Sequence, residues 1–318
     1  MLITVLGASG FIGSAVTAEL ARSGARLRTV SRRPALPVPG AEHRTADVTE
    51  PGRLAEAVAG SDAVVHLVAE LSGTGTANWR AAGDGPAARL MDDLVVALAA
   101  RGGPPPVVLF ASTVPPCGPG APTPYERGKR AAEQILERAT ARGSVRGITL
   151  RLPTVFGPPT VFGPAAAHGP AAADRGVVSA MARRAVAGEP ITLWHDGTVR
   201  RDLLYVADAA TAFTAALGRA DALAGTHWDV GTGRGLPLGE VFHALAGAVA
   251  ARTGRPPVPV RRVEAPPYAA AADFRDVTAD PAPFRTATGW APRVPLPEGL
   301  ACTAAALTGG SHGKDDRA

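Results

Sequence analysis

Cysteine and lysine are almost missing from this chain: its 318 residues hold two of each, Cys117 and Cys302, Lys129 and Lys314. Two cysteines so far apart give neither a disulfide framework nor the paired spacing of a metal site, so a reducing compartment and no bound metal are expected. Aromatic residues reach only 5%. Basic residues are dispersed, so the net charge of +5 outlines no surface for nucleic acid. No apolar run approaches membrane-spanning length, and no basic segment with an apolar core precedes the first strand. A cytoplasmic protein without nucleic-acid or membrane partners is expected.

Glycine, by contrast, is abundant (37 residues), and its placement near the start carries the first positive signal. Leu2 to Gly13 reads LITVLGASGFIG. Five mostly β-branched or aliphatic residues describe a strand buried on both faces, and Gly7, Gly10 and Gly13 then open a helix. Gly7 allows the tight turn, Gly10 the approach of backbone to a pyrophosphate, and Gly13 close packing of helix on sheet. The spacing is one residue wider than the usual dinucleotide fingerprint.

Strand and helix patterns then alternate, with strands expected at Arg26 to Val30, His43 to Val48, Asp62 to Val68, Val107 to Thr113 and Ile148 to Leu152. Such alternation implies an α/β fold, a doubly wound parallel sheet of the Rossmann type with a smaller C-terminal substrate-binding lobe. The second strand ends in Ser31, Arg32 and Arg33 with no carboxylate. An acid there would hold a ribose 2′-hydroxyl, whereas arginine suits a 2′-phosphate, so NADP(H) is expected. Asp47 is placed to meet the adenine, with Thr49 and Pro51 marking a helix start. His66, inside an apolar run, reads as a satisfied core histidine.

Downstream, Asp208 is expected to cap a helix ending at Leu217. TVFGP occurs at 154–158 and again at 160–164, too short a duplication for a fold repeat and read as a lengthened loop beside the cleft. The expected division is a nucleotide-binding domain over 1–155 plus about 199–220, a substrate lobe over 156–198 and 221–308, and a disordered tail over 309–318.

The chemistry concentrates on the helix that Pro124 opens. Tyr125 and Lys129 stand four apart and share one helical face. An ammonium beside a phenol lowers its pKa and makes it a proton donor or acceptor. In a chain with so little lysine this pairing is informative.

These residues resemble the extended short-chain dehydrogenase/reductases, the NAD-dependent epimerase/dehydratase family. The resemblance runs through GASGFIG (7–13), DVT (47–49), HLVA (66–69), FAST (110–113), YERGK (125–129), RLPTVFGP (151–158), RRDLLYVAD (200–208) and GWAPRVPLPEGL (289–300). It implies a catalytic triad of Thr113, Tyr125 and Lys129. It also implies a dinucleotide held by Gly7, Ser9, Gly10, Phe11, Ile12 and Gly13, then by Ser31, Arg32, Arg33, Asp47, Val48, Leu67, Ala69 and Lys129. Thr113, Tyr125, Thr154 and Arg201 would meet the substrate, with Arg201 on a nucleotide diphosphate. The chain departs from the pattern at Thr154, where the family often has asparagine, and at Cys117–Gly118, where a Tyr-Gly pair is common.

Within the family, Arg175 to Val206 is most like the dTDP-4-keto-6-deoxyhexose 4-ketoreductases of antibiotic deoxysugar pathways. That likeness implies a homodimer using NADPH on a dTDP-sugar. Val114 and Pro115 follow Thr113 where the family's dehydratases carry an aspartate and a glutamate, so dehydration is not expected, Glu70 being the distant alternative acid. A sugar-nucleotide epimerase and a non-enzymatic NADP-sensing regulator are the competing readings, the second disfavoured by the retained Tyr125 and Lys129.

Overall fold

The apolar runs become strands and the amphipathic runs helices in the computed structural model, which describes residues 1–32, 38–69, 85–100, 103–158 and 176–309. Strand β1 (Leu2–Leu6) leads into α1 (Phe11–Arg22), β2 (Arg26–Ser31), β3 (Glu42–Thr45), α2 (Arg53–Val58) and β4 (Ala63–His66). Then come α3 (Pro86–Ala99), β5 (Val107–Thr113), α4 (Pro124–Ala141), β6 (Arg146–Leu152), β7 (Thr154–Phe156) and α5 (Val177–Val186). The chain continues through β8 (Ile191–Leu193), β9 (Arg200–Tyr205), α6 (Val206–Leu217), α7 (Ala220–Leu223), β10 (His227–Asp229) and β11 (Gly235–Pro237). Helix α8 (Leu238–Thr253), β12 (Val260–Arg262), α9 (Ala282–Thr288) and α10 (Leu296–Gly309) complete it.

Seven strands form one parallel sheet in the order β10-β6-β5-β4-β1-β2-β3. β10 comes from a stretch assigned to the smaller lobe in the sequence-based division. Because successive side chains of a strand point to opposite faces, β5 sends Val107, Leu109 and Ala111 to one apolar cluster and Val108 and Phe110 to the other. The first cluster is closed by α1 and α6, the second by α2, α3 and α4. The strand order reverses between β1 and β4, which opens a crevice at their carboxyl ends. Two small sheets, β11-β9-β7 and β12-β8, border a third cluster built from α5, α8 and α10. No helix among the described residues is long and apolar enough to cross a membrane.

Several elements end earlier than their apolar runs suggest, each for a local reason. β3 stops at Thr45, since the Asp47 carboxylate turns the chain by accepting from the Thr49 N–H (3.0 Å) and hydroxyl (2.7 Å). α2 starts at Arg53, after Gly52 takes a left-handed φ of 79°, so Thr49 and Pro51 precede the helix without opening it. Asp208 is not a cap: α6 begins at Val206, and the buried carboxylate accepts from the N–H groups of Arg293 (3.0 Å) and Val294 (2.9 Å). Gly309, expected to begin a tail, is the last residue of α10. Arg33, Glu70, the second TVFGP and residues 310–318 lie outside the described residues.

Candidate active site

The glycine loop sits where β1 enters the crevice. Gly7 takes φ +83°, and its N–H donates to the Val30 carbonyl at 2.9 Å. A Cβ added to Gly7 would meet the Leu67 backbone at 3.1 Å. At Gly13 a Cβ would lie 2.9 Å from the Gly7 carbonyl carbon and closer still to its oxygen, so α1 packs on β1 only because residue 13 is glycine. Gly10 is the N-cap of α1, which has no side-chain cap and no acid in its first turn, leaving the first amides and the positive helix end for an anion. This arrangement fits a dinucleotide pyrophosphate. Ser9, Phe11 and Ile12 are partly exposed along the loop, Arg32 is exposed beyond β2, and Ser31 and Val48 are buried beneath. Asp47 is held ionised by Thr49 and by the nearby Arg32. Leu67 and Ala69 follow β4, half-buried, with the Leu67 N–H on the Leu6 carbonyl.

At the other side of the crevice β5 ends in Thr113, and α4 begins eleven residues later at Pro124. A capping box fixes that start: the Thr123 hydroxyl accepts from the Glu126 N–H (3.2 Å) and the Glu126 carboxylate accepts from the Thr123 N–H (2.6 Å). The TPYE sequence with proline at the first helical position is its signature, and it determines where Tyr125 stands. One turn on, Lys129 is buried and its Nζ donates to the Ala111 carbonyl at 2.7 Å. That nitrogen lies 4.7 Å from the Phe110 ring centroid and 5.8 Å from that of Tyr125.

The electrostatics correct one expectation. Burial, with the Glu126 carboxylate beside it, pushes the Tyr125 phenol up to about 12, and burial brings Lys129 down to about 8 against the opposing effect of Glu133. Desolvation therefore outweighs the lysine's attraction for a phenolate. His66 is a core residue, but only half satisfied. Its Nδ1 accepts from the Val68 N–H (3.3 Å), and buried Nε2 has no partner among the described residues.

Thr154 opens β7, half-buried and paired in register with Leu203 of β9. Arg201 is committed elsewhere: its guanidinium donates to the carbonyls of Arg200 (3.0 Å), Arg275 (2.5 Å), Ala272 (3.3 Å) and Asp273 (3.0 Å). Sequence reasoning missed its neighbour Asp202, fully buried, which accepts from the Thr232 N–H and hydroxyl, the Gly233 N–H and the Ala279 N–H. It also missed the buried Glu133 and the half-buried Arg151, joined at 2.5 and 3.0 Å beside Lys129.

A seven-stranded parallel sheet, with a glycine loop at its first crossover and a Tyr-Lys helix beside its fifth strand, defines the class: an extended short-chain dehydrogenase/reductase. The chain belongs to the NAD dependent epimerase/dehydratase family, whose model matches residues 3–231. It is 30% identical over 272 residues to a 2-alkyl-3-oxoalkanoate reductase of Stenotrophomonas maltophilia, covering 79% of this chain and 76% of that protein. Its fold superposes on MoeE5 in complex with UDP-glucose and NAD, with a TM-score of 0.76 at 25% identity over 98% of this chain and 99% of the other. It also superposes on the UDP-glucose 4-epimerase of Thermus thermophilus in complex with NAD, with a TM-score of 0.75 at 25% identity over 97% and 99%. An NAD(P) cofactor follows from the family.

Proposed function

We propose that this chain reduces a ketone with NADPH, and that its substrate is the 4-keto group of a dTDP-4-keto-6-deoxyhexose. The observation that carries the reductive reading is the Tyr125–Lys129 pair on the first turns of α4, with Lys129 buried and held on the Ala111 carbonyl at the end of β5. Tyr125 is the proton donor in this reading, with the Lys129 nitrogen 5.8 Å from its ring centroid. Thr113 orients the carbonyl, and the buried Lys129 places positive charge under the same site. When bound, the reduced nicotinamide supplies the hydride. Gly7 to Gly13 would hold its pyrophosphate, and Arg32 with Arg33 would favour the 2′-phosphate. An epimerase would keep its nucleotide bound and oxidised between turnovers, whereas a reductase must exchange it. Dehydration would need further acid and base groups, and Val114 and Pro115 carry none.

In this proposal the central sheet takes the cofactor, and the residues around the two small sheets take the sugar nucleotide. A second reading has one observation in its favour. With the Arg201 guanidinium already bound to four carbonyls, the diphosphate contact loses its main donor, and a 3-oxo acid like that named for the Stenotrophomonas relative becomes a rival substrate. The test offers NADPH with a dTDP-4-keto-6-deoxyhexose and, separately, with a 2-alkyl-3-oxoalkanoate, and follows absorbance of the reduced nicotinamide. UDP-glucose and dTDP-glucose with oxidised cofactor complete the set. Turnover of the first substrate, lost in Tyr125→Phe by about a hundredfold or more, is expected. Turnover of the oxo acid alone would select the second reading, and epimerised UDP-glucose or loss of water from dTDP-glucose would overturn both.

A further inference from the structure

Two side chains of α4 hydrogen-bond to the carboxyl ends of β5 and β6, and only Lys129 of the two belongs to the catalytic motif. One turn beyond it stands Glu133, only 4% exposed although it is a carboxylate. The Ser112 hydroxyl donates to Glu133 Oε1 at 2.5 Å. Arg151 Nε donates to the same oxygen at 3.0 Å and Nη2 to Oε2 at 2.5 Å, a bidentate fork. Ser112 and Arg151 are register partners across β5 and β6. The same stretch of β5 thus grips α4 twice, through the Ala111 carbonyl on Lys129 and the Ser112 hydroxyl on Glu133. The fork adds β6. A small polar recess lined by Ser112, Thr113, Lys129, Arg130, Glu133 and Arg151 joins this cluster to the catalytic hydroxyl.

We propose that Glu133, clamped by Arg151 and Ser112, is a positioning residue for the site: it seats α4 on β5 and β6, and its charge balances that of Lys129. The assignment rests on the reading of Lys129 as part of the reductase site, but the arrangement it describes exists without cofactor or substrate. An ion pair with one buried and one half-buried partner adds little net stability over apolar packing, so its value here is placement of charge. The groups that face Lys129 are Tyr125, Glu126 and Glu133 on its own helix, Arg130 at the recess, His66 on β4 and Arg151 on β6. His66 is neutral, its pKa brought down to about 3 by burial. The charge that offsets desolvation at Lys129 is therefore Glu133, and Arg151 reaches Lys129 through its fork on Glu133.

Lysine occurs only at 129 and 314, so protein carrying 13Cε-labelled lysine gives two resonances, with Lys314 as the internal reference. The titration of Lys129 can then be followed in the free protein, independently of any substrate. Glu133→Gln leaves Arg151 uncompensated and should lower the Lys129 midpoint by about one pH unit. Arg151→Met leaves Glu133 uncompensated and should raise it by a similar amount, whereas Arg151→Lys, which keeps the charge, should hold it near the native value. A merely structural pair would lower thermal stability in these variants without moving the midpoint in opposite directions. Should Glu133→Gln fail to fold, the Arg151 variants decide the matter. Equal midpoints in Arg151→Met and Arg151→Lys, or shifts of one sign in Glu133→Gln and Arg151→Met, would overturn the proposal. Failure of every ketone assay with these shifts intact would reject the reductase reading and leave the charge balance standing.

Discussion

Replacing Gly13 by alanine would put a methyl group into the backbone of the glycine loop. The new Cβ would stand 2.9 Å from the Gly7 carbonyl carbon and 3.1 Å from Ala8 Cα, with the Gly7 oxygen closer still. None of these atoms belongs to a side chain that can swing away. Relief requires α1 to move off β1 by about 1 Å, which opens the packing of Val16 and Leu20 against Ile3 and Val5 in the first apolar cluster. Overpacking of this kind reaches about 3 kcal/mol, and Gly13→Ala is expected to cost that much. Gly10 offers the contrast. Its added Cβ would meet only the Gly7 oxygen, at 3.2 Å, so Gly10→Ala should cost about 1 kcal/mol, the ordinary difference between glycine and alanine at an N-cap. It should nevertheless weaken dinucleotide binding at least about tenfold, because the methyl occupies the surface along which a pyrophosphate approaches. Urea unfolding measures the first pair of numbers, and calorimetric titration with NADPH the second. A loss below about 1 kcal/mol in Gly13→Ala, or equal stability losses in the two variants, would refute the division of roles between these glycines.

Acid stability should depend on His66. Its folded pKa is brought down to about 3, so between its ordinary value and that one the unfolded chain binds the extra proton, and the stability present at neutral pH drains away as pH falls through this window. His66→Asn keeps an acceptor for the Val68 N–H while removing the titration, and should flatten the decline in urea midpoint between neutral pH and about pH 4.5; an unchanged decline would mean other groups carry it. Lys129 works in the same sense at higher pH, adding stability as pH rises from about 8 toward its ordinary 10.5, and the urea midpoint of Lys129→Met should lack that rise. Arg32→Ala should weaken NADPH at least about fivefold while leaving NADH nearly unchanged, and equal losses would count against a 2′-phosphate contact. Arg201→Ala breaks four carbonyl bonds and should lower stability by about 2 kcal/mol; a raised KM for a sugar nucleotide with unchanged stability would show instead that the guanidinium serves the substrate.

What the sequence determined by itself is what short-range spacing encodes. The buried run before Gly7, the glycine required at 7 by a positive φ and at 13 by close packing, the strand Val107 to Thr113 and the shared face of Tyr125 and Lys129 are all properties of a few neighbouring residues. Strand ends were less legible, because Asp47 and His66 turn the chain with side-chain bonds to residues two further on, which apolar runs do not reveal. Other features depend on parts of the chain that meet only after folding. Glu133 finds Ser112 and Arg151 because β5, α4 and β6 converge, and Arg201 finds its carbonyls more than seventy residues away. The proton affinity of Tyr125 belongs to the same group. Spacing on a helix puts an ammonium near the phenol, but whether that charge or the loss of water prevails depends on the protein packed around the ring, and here desolvation raises the phenol.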